Sequence, residues 1–152
     1  MSRVLATNRS VQNVPPPAAL LWDMDGTLVD TEPFWIAAEH DLIESAGGRW
    51  TEELSLQLVG QNLWTSAEFI RANSPVTLEP PELIDALMER VHSAILEQGV
   101  PWRPGARELL LAAGEAGIPS ALVTMSWMSL VTPIMRTLPE ATFAVLATGD
   151  IV

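Results

Sequence analysis

The chain reads as an α/β fold, a parallel sheet interrupted by one long helical insertion. Short apolar runs at residues 18–22, 120–125 and 142–147 are bounded by turn signals and are the length of strands. Residues 32–99 carry helical periodicity with no stretch alternating at period two. The order strand, helical insert, helix, strand, helix, strand is that of an α/β chain.

Each element has a local reason. Residues 1–17 are polar and end in Pro15-Pro16-Pro17, so a flexible N-terminal tail is expected there. Ala18 to Trp22 is an apolar run closed by Asp-Met-Asp-Gly, which suits a buried strand of a parallel sheet. Pro33 sits well in a first helical turn, and that helix is expected to run to about Ala46 before Gly47-Gly48. Thr51 can cap a second helix, with Glu52 and Glu53 in its first turn. Thr65 and Glu68 have capping-box spacing ahead of Phe69 and Ile70. Pro81 to Gln98 gives the clearest helix, with Leu83, Ile84, Leu87, Val91, Ala94 and Ile95 on one stripe. Pro104-Gly105 opens a leucine-rich helix ending near Gly117. Ser120 to Met125 is the second strand, a helix follows from about Ser129, and Thr142 to Ala147 is the third strand. Pro133 is expected only within or near that helix's first turn.

Composition narrows the function. At 152 residues the chain can bury about one domain core. Nineteen acidic residues face eight basic ones, for a net charge of −11, and all eight are Arg. Nucleic acid and anionic membrane are therefore poor partners. A phosphorylated small molecule is not excluded, because a divalent cation or a helix N-terminus can create a local positive field. The absence of cysteine excludes disulfides, thiolate zinc sites and a cysteine nucleophile. No run approaches the ~18–20 apolar residues of a membrane span, so a cytoplasmic protein is expected.

The richest stretch is LLWDMDGTLVD at residues 20–30. Alternation puts Asp23 and Asp25 on one side of an extended chain and Met24 on the other, and Gly26 permits a turn just beyond. At the carboxyl end of a parallel strand, both carboxylates would enter the usual ligand crevice of an open sheet. A divalent cation relieves their repulsion, and hard cations such as Mg2+ prefer oxygen ligands. One carboxylate can attack phosphorus while the other moves a proton. The competing reading of Asp-Gly alone is an ordinary turn.

DMDGTLVD is similar to motif I of the haloacid dehalogenase-like superfamily of phosphohydrolases. The longer string DMDGTLVDTEPFW resembles its phosphoglycolate phosphatase and beta-phosphoglucomutase-like branch. The resemblance implies a Rossmann-like parallel-sheet core over residues 18–31 and 101–152, with an α-helical cap inserted over 32–100. It implies Mg2+-dependent hydrolysis of a small phosphorylated metabolite through an aspartyl-phosphate. Asp23 would be the nucleophile and a metal ligand. Asp25 would be the general acid/base, its main-chain carbonyl also on the metal, and Thr27 would help orient the site. Ser120 to Ser126 resembles motif II. Thr124 then binds the transferred phosphoryl group, with backbone N–H groups of Met125 and Ser126 as further donors. Gly60, in LVGQNLW, resembles the cap-loop glycine facing the active site, beside Gln61 and Asn62. Arg103, in Arg103-Pro104-Gly105, would anchor the hinge or touch substrate. Trp35 could shape substrate access, and Trp127 and Met128 could shield the phosphate loop. Asp30, His40 and His92 are assigned structural or surface roles.

Two motifs of the superfamily do not occur in this sequence. One supplies a Lys, and the chain has none. The other supplies late acidic residues, and Thr148-Gly149-Asp150 is followed only by Ile151-Val152. The expectation is a C-terminally truncated member, with apolar surface near residues 142–147 that a protein partner could cover. Two alternatives stay open beside the phosphatase: a phosphomutase like beta-phosphoglucomutase, and an inactive fragment.

Overall fold

Three short apolar runs become strands because each can bury one face against helices. The structure, a computed structural model, describes residues 15–150. The expected tail therefore lies outside the described residues up to residue 14, as do Ile151 and Val152. Strands β1 (Leu20–Trp22), β2 (Ser120–Val123) and β3 (Val145–Ala147) form a parallel sheet in the order β1-β2-β3. The register sets Trp22 beside Leu122 and Leu122 beside Leu146. These three share the packed face. The next row, Leu21, Ala121 and Val145, lies on the opposite face.

The strands are shorter than the runs that predict them. Thr142 is held in a turn, its N–H and hydroxyl both donating to the Pro139 carbonyl, and Phe143 turns into the core. The sequence also suggests that β1 is buried, yet Leu21 is 75% exposed. β1 is an edge strand covered on one face only, so its middle residue faces outward. Val123 and Val145 are exposed with it, which extends the apolar surface expected near residue 145 across the sheet.

The helices are α1 (Glu32–Ser45), α2 (Glu52–Leu56), α3 (Leu63–Asn73), α4 (Pro80–Gln98), α5 (Ala106–Glu115) and α6 (Met128–Met135). Thr51 caps α2 as expected, its hydroxyl accepting from Leu54 N–H. At α3 the expectation is corrected. Asn62 is the cap, its side-chain oxygen accepting from Thr65 N–H at 2.9 Å, so Thr65 lies inside the first turn. The stripe of α4 is buried at Leu83, Ile84, Leu87, Val91 and Ile95, and α4 packs against α1, α3 and α6. Pro133 falls in the second turn of α6, later than expected. A proline there withholds the N–H that Ser129 C=O would accept, and the helix stops two residues on.

Two hydrophobic clusters result. One joins α1, α3 and α4 through Ile43, Ile70, Leu83, Ile84 and Val91, and α6 touches it through Leu130. The other lies beneath the sheet, with Met24, Leu28, Leu122, Val131 and Phe143. The two chain connections between them run side by side: Val29 bridges Trp102, Asp30 N–H donates to Pro101 C=O at 2.8 Å, and Arg103 N–H donates to Leu28 C=O at 2.9 Å. Among the described residues, no helix is long and apolar enough to cross a membrane.

Burial on α4 gives a direct test. Ile84→Ala removes a fully buried side chain and is expected to cost about 2–5 kcal/mol in denaturant unfolding. Leu96→Ala, on the exposed side of the same helix, is expected to stay within about 0.5 kcal/mol of wild type.

Candidate active site

The site forms where β1 and β2 end together. Asp23 is the first residue past β1, and Met24 turns into the sheet cluster at 1% exposure. Asp23 and Asp25 therefore share the other side and line one cavity. Gly26, at φ +74°, makes the turn. Met24 C=O then accepts from the N–H groups of Thr27, Leu28 and Val29, which locks the loop under the carboxylates.

The two carboxylates are held differently. Asp23 is exposed, and the Thr27 hydroxyl donates to its Oδ2 at 3.2 Å. Asp25 is half-buried and accepts from two hydroxyls, Thr31 on Oδ1 and Ser126 on Oδ2, the latter at 2.5 Å. Asp25 is thus tied to the N-cap residue of α1 and to the loop after β2, while Asp23 keeps one oxygen clear of these hydroxyls.

From β2 comes Thr124, 7% exposed and lining the same cavity. Its N–H donates to Ala147 C=O, and its Oγ1 accepts from Ser126 N–H at 3.0 Å. Met125 and Ser126 also line the cavity. The loop 148–150 closes against them. Gly149 N–H donates to Ser126 C=O, and a Cβ on Gly149 would stand 2.0 Å from the Met125 carbonyl oxygen. Asp150 Oδ1 accepts from Met128 N–H at 3.1 Å, bracing the start of α6.

The cavity has a volume of about 320 Å³ and extends from the carboxylates into the helical unit. Trp35, Gly60 and Gln61 line it. Thr27 and Arg103 do not: Thr27 acts from behind on Asp23, and Arg103 sits at the paired connections with an exposed side chain. Trp127 packs with the helical cluster and Met128 with the sheet cluster. His40 lies 3.9 Å from Glu44 on α1, away from the cavity lining.

Several lining residues are not singled out by the sequence, among them Thr31, Glu39, Ser55 and Ser66. Thr31, Trp35 and Glu39 follow one another at four-residue spacing along α1, and that spacing was the available signal. Glu39 is buried at 6% exposure, with Trp50 Nε1 donating to its Oε2 at 3.2 Å. Burial raises its carboxyl above the usual range, partly offset by hydrogen bonds from Ser55 and Trp50.

A profile described as haloacid dehalogenase-like hydrolase matches residues 20–152. The chain belongs to this family. Similar proteins include a phosphorylated carbohydrates phosphatase of Thermotoga maritima, 31% identical over 87% of this chain and 61% of that protein. An N-acetylmuramic acid 6-phosphate phosphatase of Pseudomonas aeruginosa is 33% identical over 81% of this chain and 54% of its own length. Among solved structures, CbbY from Rhodobacter sphaeroides in complex with phosphate superposes with a TM-score of 0.75 and 28% identity, covering 89% of this chain and 64% of that one. Each likeness extends over most of this haloacid dehalogenase-like chain. The chain spans just over half to nearly two thirds of the length of these relatives.

Two outcomes follow from the packing. Gly149→Ala should lower stability by about 1–3 kcal/mol, because the new methyl meets backbone that must shift; chemical denaturation measures it. The raised carboxyl of Glu39 binds its proton more tightly when folded than when unfolded. Wild-type stability relative to Glu39→Gln should therefore be greatest below the unfolded value near 4.5 and fall as pH rises toward the higher folded value. Unfolding curves across that range for both proteins check the sign.

Proposed function

We propose that the protein is a Mg2+-dependent phosphatase of small phosphate monoesters, working through an aspartyl-phosphate on Asp23. The observation that carries this reading is the unequal holding of two neighbouring carboxylates. Asp25 is fixed by Thr31 and Ser126, whereas Asp23 has an oxygen available to a ligand in the cavity.

The reaction follows from those roles. An Asp23 oxygen attacks phosphorus, the bond from phosphorus to the ester oxygen breaks, and Asp25 gives a proton to the departing alcohol. Water then loses a proton to Asp25 and attacks the phosphorus of the acyl phosphate. The acyl phosphate bond breaks, phosphate leaves, and both carboxyl groups return to their starting states. Thr124, with the backbone of Met125, would hold the phosphoryl oxygens. Thr31 and Ser126 keep Asp25 aimed at the ester oxygen. We assign residues 32–100 the role of a cap that keeps bulk water from the acyl phosphate.

The donor set suits magnesium. The Asp23 carboxylate and the Asp25 main-chain carbonyl would offer hard oxygen donors, and this ion commonly takes one or two carboxylates together with waters and substrate phosphate. Among the described residues, no group of three or more histidine or acidic side chains is arranged to hold a metal ion, so waters and the substrate phosphate would complete the shell. When bound, Mg2+ supplies the positive charge that lets a carboxylate approach an anionic ester.

The test is turnover of p-nitrophenyl phosphate by the purified protein. Activity should require Mg2+ and be lost on chelation. Asp23→Asn should lower kcat by about 10⁴-fold or more, as for loss of a nucleophile. Undiminished turnover by Asp23→Asn would overturn the assignment.

A further inference from the structure

We infer that Glu39 is a specificity-determining residue, accepting hydrogen bonds from hydroxyl groups on the alcohol part of the substrate. This rests on the phosphatase reading of the same cavity and adds to it what the far end of that cavity selects.

The geometry comes from α1. Thr31 hydrogen-bonds Asp25, and Trp35 and Glu39 follow one and two turns later on the same face. Eight residues of helix advance about 12 Å. Helical side chains lean toward the N-terminus, which brings the Glu39 carboxyl back toward the level of Trp35. From Thr31, which touches Asp25, to the level of Trp35 is about 6 Å of helix, a span that suits an alcohol of several carbons rather than a bare phosphate.

The chemistry comes from what surrounds Glu39. A carboxylate has two oxygens and about four acceptor positions. Trp50 Nε1 takes one on Oε2, shared with Ser55 Oγ at 2.9 Å, and Ser55 stands beside the carboxyl as a second donor. The remaining acceptor capacity belongs to a group that lines the cavity. A carboxyl at 6% exposure that water hydrates poorly gains from ligand donors. Ser66, 7% exposed and also lining the cavity, adds a hydroxyl there. Leu58, Leu87 and Trp35 supply apolar wall. Apolar wall with a few fixed polar groups suits a polyhydroxylated carbon chain, which presents both C–H surface and hydroxyl donors.

A purely structural role for Glu39 makes a different forecast, and two ligands of equal length separate them. A hexitol 6-phosphate carries hydroxyls along its chain and n-hexyl phosphate carries none. We expect wild type to favour the hexitol ester in kcat/KM. In Glu39→Gln and Glu39→Leu the hexitol-to-hexyl ratio should fall by about 10–100-fold, the size of a hydrogen bond to a charged group. Calorimetric affinities of the Asp23→Asn protein and of Asp23→Asn/Glu39→Gln for both esters provide a readout that needs no turnover. If hexitol phosphate binds and loses affinity with Glu39 while wild type hydrolyses neither ester, the phosphatase reading fails and the role of Glu39 stands. If both esters weaken equally, or the ratio is unchanged, Glu39 is a packing residue and the inference is overturned. If neither ester binds the Asp23→Asn protein, both readings fall.

Discussion

The register between β1 and β2 is the constraint from which the site descends. Trp22 pairs with Leu122, so Asp23 and Thr124 emerge close together beyond the ends of adjacent parallel strands. A slip of one residue would turn Met24 outward and send the two carboxylates into the apolar cluster. Burial of Met24, Leu122 and Leu146 on one face resists that slip. The Trp22 Nε1 bond to Ser120 Oγ at 3.1 Å pins it further. Asp25 then ties the strand ends to α1 through Thr31 and to the β2 loop through Ser126. The residue that precedes α1 and the loop after β2 thus meet on one carboxylate.

Electrostatics sets the next demand. Asp23, Asp25, Glu32 and Glu39 all line the cavity, and no Arg stands among the described lining residues. A phosphate dianion brought there meets like charge on several sides, in a chain already at −11. The Met125 N–H and the Thr124 hydroxyl offer only partial charge, the N–H groups of Thr124 and Ser126 being bonded within the loop. A divalent cation on Asp23 and Asp25 is the compensation consistent with this lining, which is why the proposed chemistry depends on magnesium.

Much of this was legible in the sequence, for physical reasons. Asp23, Met24 and Asp25 declare their sides through strict alternation, and Thr124 follows an apolar run too short to be anything but a strand. The α4 stripe has the 3.6-residue period that burial of one helix face demands. Other features were hidden because local signals competed. Asn62 and Thr65 are both good caps, and only the backbone path decides that Asn62 accepts from Thr65 N–H. Leu21 looks like core in a one-dimensional reading, but its exposure depends on which sheet face is covered. Glu39 resembles any polar helix residue until Trp50 and Ser55, on the segment after α1, fold back over it. The tight approach of Gly149 to Met125 is likewise a tertiary fact, invisible in a Thr-Gly-Asp string.

On this reading a cation joins the Asp23 carboxylate to phosphate in an acidic cavity. Calorimetric titration of inorganic phosphate into the purified protein, with Mg2+ and with EDTA, measures that coupling. Affinity should be at least about tenfold higher with Mg2+, a gain of about 1.4 kcal/mol, and Asp23→Ala should abolish that dependence. Phosphate binding of equal strength in EDTA would contradict the account.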